Sequence, residues 1–327
     1  MPRTDLLVRR ATEADRHAVV ELCRASLGWT NGDVDEEFFA WKHDLNPAGR
    51  SPAWVAEAPD GQLTGARVFL RWRFRDAAGA ELSAVRAVDT ATHPDWQGKG
   101  IFKRLTLGAL PDLREDGVDF VFNTPNEQSR PGYLKMGWNQ VGRVPVAVRV
   151  ASLARTRSLA GARTAAEKWS QPTSAGVEAT KVLSDVGAVE ALLGRLPTSG
   201  GINTVRTPAH LLWRYRFEPL HYRAMLVGDD ISDGAVIFRV RQRGTALEGT
   251  ICEVLLPPGT TRPSTIFGRI LEESGADYLI RGGAAPVSHR FVPTPRLGPI
   301  LTWKPLRRVG APSLDELDLA LGDIELF

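Results

Sequence analysis

Apolar positions along the chain change their spacing several times, and each change marks an element. Residues 6–10 read as a strand. Residues 13–27 repeat apolar positions at helical spacing behind Thr12, an N-cap type, with Glu13 and Asp15 in the first turn, where they oppose the helix dipole. Strands are predicted at 53–58, 63–75 and 81–92, the last two joined by the turn Asp76-Ala77-Ala78-Gly79. A helix over 100–115, a buried strand at 118–124 and a short helix over 126–136 follow. Pro111 falls within the first of these helices, where the missing N–H and the ring predict a kink or an early stop. Leu70–Arg75 alternates strictly, so Arg71, Arg73 and Arg75 share one face and Leu70, Trp72 and Phe74 the other. Such an arginine face is ordinarily solvated; a position beside a cleft would instead favour an anionic acceptor.

The second half repeats features of the first. Phe38-Phe39-Ala40-Trp41-Lys42-His43 leads to Pro47, and Leu211-Leu212-Trp213-Arg214-Tyr215 leads to Pro219, each tryptophan preceding its proline by the same spacing. The run Gly117–Phe122 is likewise matched by Gly275–Ile280, each a buried strand after a helical pattern. The expected organisation is a first unit over 1–150, a partly helical linker over 151–176 rich in Ala, Arg, Ser and Thr, and a second unit over 177–327. Its tail from Ser313 has helical spacing, with Ser313 as cap and Glu316 at the reciprocal position.

Composition narrows the function classes. The 327 residues, 43% hydrophobic and 24% charged, suffice for two cores of domain size. Cys23 and Cys252 have neither a disulfide framework nor zinc-ligand spacing around them, which fits a reducing cytoplasm and no metal site. No stretch reaches the roughly 18 apolar residues of a membrane span, and the N-terminus lacks a signal-peptide core. The net charge of +3 comes from scattered arginines, so neither nucleic acid nor a membrane is an expected partner.

The richest chemical signal is Val88–Phe102. A strand ends at Pro94, a loop with Gly98 and Gly100 follows, and a helix begins, so successive backbone N–H groups and the positive end of a helix dipole converge where a pyrophosphate would sit. Glycines permit close approach and unusual φ there, and Lys99 adds charge. Gly-x-x-x-x-Gly-Lys-Ser/Thr and Gly-x-Gly-x-x-Gly are both absent from this loop. A second segment, Asn126–Trp138, follows the next buried strand and holds Ser129, Tyr133, Lys135 and Gly137.

With these two segments in this order the sequence resembles the GNAT superfamily of N-acetyltransferases. Gln97 and Gly100 match the family loop Gln/Arg-x-x-Gly-x-Gly/Ala, and Asn126, Ser129, Tyr133, Lys135, Gly137 and the aromatic Trp138 match its second motif; Phe102 departs from the small residue normally found. The resemblance covers residues 6–148 and implies two GNAT-like mixed α/β (α+β) sheet units in tandem, the second degenerate. It implies acetyl-CoA as cosubstrate, held by Thr90, Ala91 and Thr92 along the pantetheine arm, by Gln97, Gly98, Lys99, Gly100, Ile101, Phe102 and Lys103 at the pyrophosphate, and by Asn126 and Ser129, with Asn126 alternatively an N-cap. Tyr133 stands where relatives place the proton donor to the departing thiolate, or else packs beside the cofactor. Asp89, then His93, are the candidate bases; alternatively Asp89 fixes the strand and His93 caps the turn before Pro94. The second unit has prolines where the loop would be, at Pro257, Pro258 and Pro263, which implies one cofactor per chain. Trp213, Arg214 and Tyr215 either line the acceptor cleft or pack in the core. The expected activity is direct acetyl transfer to an amine of a small molecule, an aminosugar or an amino-acid-like compound; an aminoacyl-tRNA-dependent transferase and a non-catalytic acyl-CoA sensor are the alternatives.

Overall fold

The computed structural model describes residues 6–29, 33–152, 164–283, 289–307 and 310–325. Strand β1 (Leu7–Arg10) leads through a short turn at Glu13–Asp15 into α1 (Arg16–Leu27), α2 (Asp33–Phe39) and a π turn at Ala40–Asp44. β2 (Ala53–Glu57), β3 (Leu63–Arg75) and β4 (Glu81–Thr92) form an antiparallel meander, followed by α3 (Ile101–Glu115), β5 (Phe120–Asn123), α4 (Arg130–Lys135), β6 (Asn139–Arg143) and β7 (Val146–Val150). The second half includes a helix at Val186–Arg195, then α5 (Pro208–Tyr215), β8 (Arg223–Leu226), β9 (Ala235–Arg243), β10 (Ala246–Leu255), α6 (Pro263–Ser274), β11 (Tyr278–Gly282), β12 (Ile300–Pro305) and the single turn α7 (Leu321–Ile324).

The chain forms two compact units, one within 1–75, 79–142 and 300–313, the other within 76–78, 143–299 and 314–327. The sheet of unit 1 has the order β1-β2-β3-β4-β5-β12-β6, and that of unit 2 runs β7-β11-β10-β9-β8 with two-residue strands at either edge. Both are mixed: β4/β5 and β10/β11 pair in parallel, and the meanders antiparallel. A hairpin, a helix and a parallel strand thus recur in each half, and only the helix supplies the crossover that a parallel pair requires.

Each sheet takes one strand from the other half of the chain. β12 pairs with β5 from Asn123↔Thr302 to Phe120↔Pro305, where Trp303 stacks on Phe120 at 3.7 Å. β7 pairs with β11 from Tyr278↔Val150 to Gly282↔Val146. The boundary expected at residue 150 therefore lies at 143, and 300–313 returns to unit 1. The physical reason is that β5 and β11, each buried and flanked by a parallel neighbour on one side, leave a second edge whose backbone groups must be paired.

α3 packs on unit 1 through Ile101, Leu105, Ala109 and Leu113, all buried at a spacing of four, each large one contributing about 1.5–3 kcal/mol by burial. Gly65 of β3 lets the sheet approach, since a Cβ there would run into Ile101 and crowd Leu105 at 3.1 Å. The helix does not stop at Pro111 but runs to Glu115: beyond the proline, fully buried Leu113 holds the last turn in place.

Two further expectations change. Part of the stretch 151–176, residues 153–163, lies outside the described residues; from 164 to 176 there is no helix, and the chain runs along β9 with Glu167 N bonded to Gln242 O and Gln171 N to Val240 O, both at 2.8 Å. The tail is not one helix from Ser313. A turn at Leu314–Glu316 gives way to a short parallel pairing of Leu317 with Ile202, and only then does α7 form. Pairing of Leu317 with Ile202 won over the helical periodicity of a segment too short to hold a helix alone.

Candidate functional site

The site in unit 1 begins with a strand that loses its neighbour. Among the described residues β4 pairs with β5 only from Ala84↔Phe120 to Arg86↔Phe122, yet β4 continues to Thr92 on β3 alone. The edge from Ala87 onward is open to an extended ligand that adds as a strand. Along this edge β4 carries a bulge: Arg67 faces Thr90 and Val68 faces Val88, so Asp89 is skipped, and its φ of 42° is left-handed. A bulge inverts the alternation of faces. Ala87 and Thr90 consequently share the face of Phe69, Arg67 and Tyr133, and Asp89 turns toward Lys42 and His43. Ala91 is fully buried and Thr92 half-buried further along the edge.

At the end of this strand the chain enters the glycine loop. Gly98 and Gly100 have φ of 73° and 75°, with open space where a Cβ would stand, and Gly100 is the residue before α3. Among the described residues the consecutive amides of Gly98, Lys99, Gly100, Ile101, Phe102 and Lys103 have no acceptor; the first bond of the series is Arg104 N to Gly100 O, 3.1 Å. Gln97 N bonds back to Pro94 O, and Lys99 lies over the Trp96 ring at 4.2 Å. Unfilled donors at a helix start, with exposed glycines and a lysine beside them, fit a diphosphate. Phe102 turns inward, its ring edge-on to Tyr133 at 5.3 Å and against Gly132, so the larger residue leaves the loop clear.

Tyr133, on α4, is 3% exposed, and its hydroxyl accepts a hydrogen bond from Arg67 Nη2. Arginine has no acceptor, so the phenolic hydrogen must point elsewhere, and among the described residues nothing receives it. The same guanidinium donates to Thr90 Oγ1 at the open strand edge. A buried phenol is thus linked through one guanidinium to the open strand edge.

Asp89 lies on the other face. Its Oδ2 accepts from both Lys42 Nζ and His43 Nε2 at 2.7 Å, and its side chain is 7% exposed. Burial alone would push this carboxyl up, but the charge of Lys42 and the bonds from His43 and Lys42 outweigh it and hold it below the usual carboxylate range. His43 is held low by burial, against the raising influence of Asp89, and is therefore neutral near pH 7. A neutral ring that donates from Nε2 to Asp89 has its lone pair on Nδ1, which faces Ser51 Oγ at 3.0 Å. His43 and Ser51 also line a cleft of about 240 Å³ with Arg10, Glu13, Arg16 and Asp44.

The other predicted residues are plainly placed. His93 Nδ1 accepts from Asp95 N at 3.4 Å, capping the turn after it. Asn126 Oδ1 accepts from Ser129 N and Oγ, both at 2.8 Å, and shapes the turn into α4. The arginine face is solvated, Arg71 reaching Asp116 and Arg75 reaching Glu81. Trp213, Arg214 and Tyr215 are buried in unit 2. Arg67, Lys42, His43 and Ser51 were not anticipated. A lone arginine in the apolar run Leu63–Leu70 was the available signal for Arg67, and Lys42-His43 stood inside the repeat without being read as chemistry.

Unit 2 has the same splay but fills it. β10 pairs with β11 only to Ile251↔Arg281, and the chain's own tail enters beyond: a Cβ on Gly282 would lie 3.0 Å from Leu321 N, and one on Gly322 2.9 Å from Cys252 O. Arg214 donates to Gly322 O at 2.9 Å, and buried Glu325 pairs with Arg214 and Arg239. At the helix start Arg262 is left-handed and Pro263 follows, so fewer amides are available than in unit 1. Among the described residues no cluster of metal-binding side chains occurs, and no helix is long and apolar enough to cross a membrane.

Residues 7–141 match the family model described as an acetyltransferase (GNAT) domain. Among solved structures, a conserved protein of unknown function from Enterococcus faecalis V583, titled a probable N-acyltransferase, is similar at TM-score 0.62 and 14% identity over 93% of this chain and 73% of its own. A GCN5-related N-acetyltransferase from Anabaena variabilis ATCC 29413 gives the same TM-score and identity over 92% and 73%. A putative acetyltransferase from Pyrococcus horikoshii is similar at TM-score 0.53 and 13% identity over 98% and 94%. At such identities these likenesses speak to the fold. No curated protein matches the chain.

Proposed function

We infer from the match of residues 7–141 to a GNAT acetyltransferase domain that the protein is an acyl-CoA-dependent acyltransferase, and that it transfers acetyl directly from acetyl-CoA to an amine of a small molecule. The observation that carries this reading is the phenolic hydrogen of Tyr133, which has no acceptor among the described residues, at the open edge of β4. Bound acetyl-CoA supplies the activated acyl group. The amides of Gly98–Lys103 hold its diphosphate, the backbone from Thr90 to Thr92 aligns its arm, and main-chain donors on that strand polarise the carbonyl. Tyr133 gives a proton to the departing sulfur, which leaves poorly as a bare thiolate.

The attacking amine must lose a proton on the opposite face. Asp89 is ionised and accepts from Lys42 and His43 on Oδ2, which orients the His43 ring. Neutral His43 carries its lone pair on Nδ1, so the amine's proton reaches it there through the Ser51 hydroxyl, and Asp89 stabilises the imidazolium that forms. His93, occupied with its own turn, serves the loop. The cleft reached through His43, about 240 Å³, suits a small acceptor better than a folded partner.

One acetyl-CoA per chain is expected, because the tail stands in the splay of unit 2. Mass spectrometry of acetyl-CoA incubated with aminosugars, amino acids, polyamines and aminoglycosides tests the reading; an acetylated product that disappears in Tyr133→Phe supports it. Binding of acetyl-CoA without any product from the panel would favour the sensor reading, and absence of binding would refute both.

A further inference from the structure

Arg67 is 1% exposed and has no carboxylate partner among the described residues. Its recorded bonds go to the hydroxyls of Thr90 and Tyr133, its Nε has no acceptor, and its guanidinium lies 5.0–5.6 Å from the ring centres of Phe69, Phe102 and Tyr133. Aromatic faces stabilise a buried cation in part, but a permanently charged group without an anion is otherwise costly to bury. Two buried arginines of unit 2 contrast with it: Arg239 is paired with Glu325 and Arg241 with Glu248.

We propose that Arg67 is a positioning residue for Tyr133, whose missing counter-ion is the phenolate formed during each turnover. The inference rests on the transferase reading above and deepens it. Before the reaction the guanidinium occupies the phenol oxygen as donor and so fixes the direction of the O–H toward the strand edge. When the C–S bond breaks, the electron pair stays on sulfur and the proton passes from Tyr133 Oη to that sulfur. The negative charge then rests on Oη beside Arg67, where the buried cation finds the anion that no side chain provides. Tyr133 regains its proton from solvent as the thiol leaves, and the proton lost by the amine passes to the Asp89–His43 pair and from there back to solvent. Charge and protons balance without any further reactant. Thr90 holds the second arm of the guanidinium and ties its position to the bulge that turns this residue onto the Arg67 face.

The test is a double-mutant cycle with Arg67→Gln, Tyr133→Phe and the two combined, with Arg67→Lys as the conservative variant. Acetyl-CoA affinity is measured by calorimetry, and kcat and KM by release of the CoA thiol with hydroxylamine as acceptor. Arg67→Gln is expected to lower kcat about 100-fold with little change in acetyl-CoA affinity, to match Tyr133→Phe, and to add nothing in the double variant. Arg67→Lys, which keeps the charge and loses the fork, should recover part of the loss. Multiplying losses, a defect confined to KM or affinity, or Arg67→Gln turning over like the parent would overturn the proposal and leave the transferase reading standing. If Arg67→Gln does not fold by circular dichroism, the cycle of Arg67→Lys with Tyr133→Phe decides on the same criterion. Failure of the parent chain to bind acetyl-CoA or release thiol would overturn the transferase reading, and this inference with it.

Discussion

Replacing Asp89 by asparagine separates the structural from the catalytic demands on the β4 bulge. The change keeps size and shape but removes the charge facing Lys42 Nζ at 2.7 Å, where the two side chains are only 7% and 4% exposed. Removing one partner of a buried ion pair costs about 3–5 kcal/mol. For a unit of this size that corresponds to a fall in melting temperature of roughly 6–20 °C. The double variant Asp89→Asn, Lys42→Met removes both charges and should recover to within about 2 kcal/mol of the parent, since a buried pair replaced as a whole is nearly neutral. Thermal and urea unfolding followed by circular dichroism measure both, and thiol release measures turnover below the transition. Asp89→Asn should lose turnover even where it is folded, and the double variant should not regain it. Equal stability of parent and Asp89→Asn, or a double variant as unstable as the single one, would refute the ion-pair argument. Normal turnover in folded Asp89→Asn would refute the orienting role.

Three further outcomes are expected. Gly100→Ala meets open space and is strained only by its φ of 75°, a cost of about 1–2 kcal/mol, so acetyl-CoA affinity by calorimetry should fall about 5- to 30-fold with the fold intact. Titration of the whole chain with acetyl-CoA should saturate at one equivalent; a second equivalent of similar affinity would show that the tail does not block unit 2. His210 is pushed down to about 3 by burial, then by Arg206 and Arg214, below its unfolded value of about 6.5. The unfolded state therefore binds the extra proton, and stability present above pH 6.5 is lost on acidification at up to about 1.4 kcal/mol per pH unit. Urea melts of the parent and His210→Gln between pH 7 and 4 check this: the variant should show the shallower slope, and equal slopes would exclude the assignment.

Much of unit 1 was legible because its elements carry their own punctuation. β3 and β4 alternate around a glycine turn, and the loop at Gly98 and Gly100 needs positive φ that few other residues tolerate. The same local logic failed where long-range pairing outweighed it: β12 belongs with β5, and the tail leaves its helical period at Leu317.

The candidate site residues divide in the same way. Motif spacing singled out Tyr133 and the glycine loop as candidates, since both motifs depend on residues close together in the chain. Lys42 and His43 meet Asp89 from a distant segment of the chain, with Ser51 beside His43, and a one-residue bulge decides that Asp89 faces the lysine and histidine.

By itself, then, the sequence determined the strands, helices and turns whose causes are local: side-chain period, backbone conformation at glycine and proline, and capping. Only the tertiary structure decided which strand completes each sheet, which charges are buried together, and that Arg67 has no anion among the described residues. Those outcomes depend on desolvation and on pairing between distant segments, whose energies exist only once the segments have met.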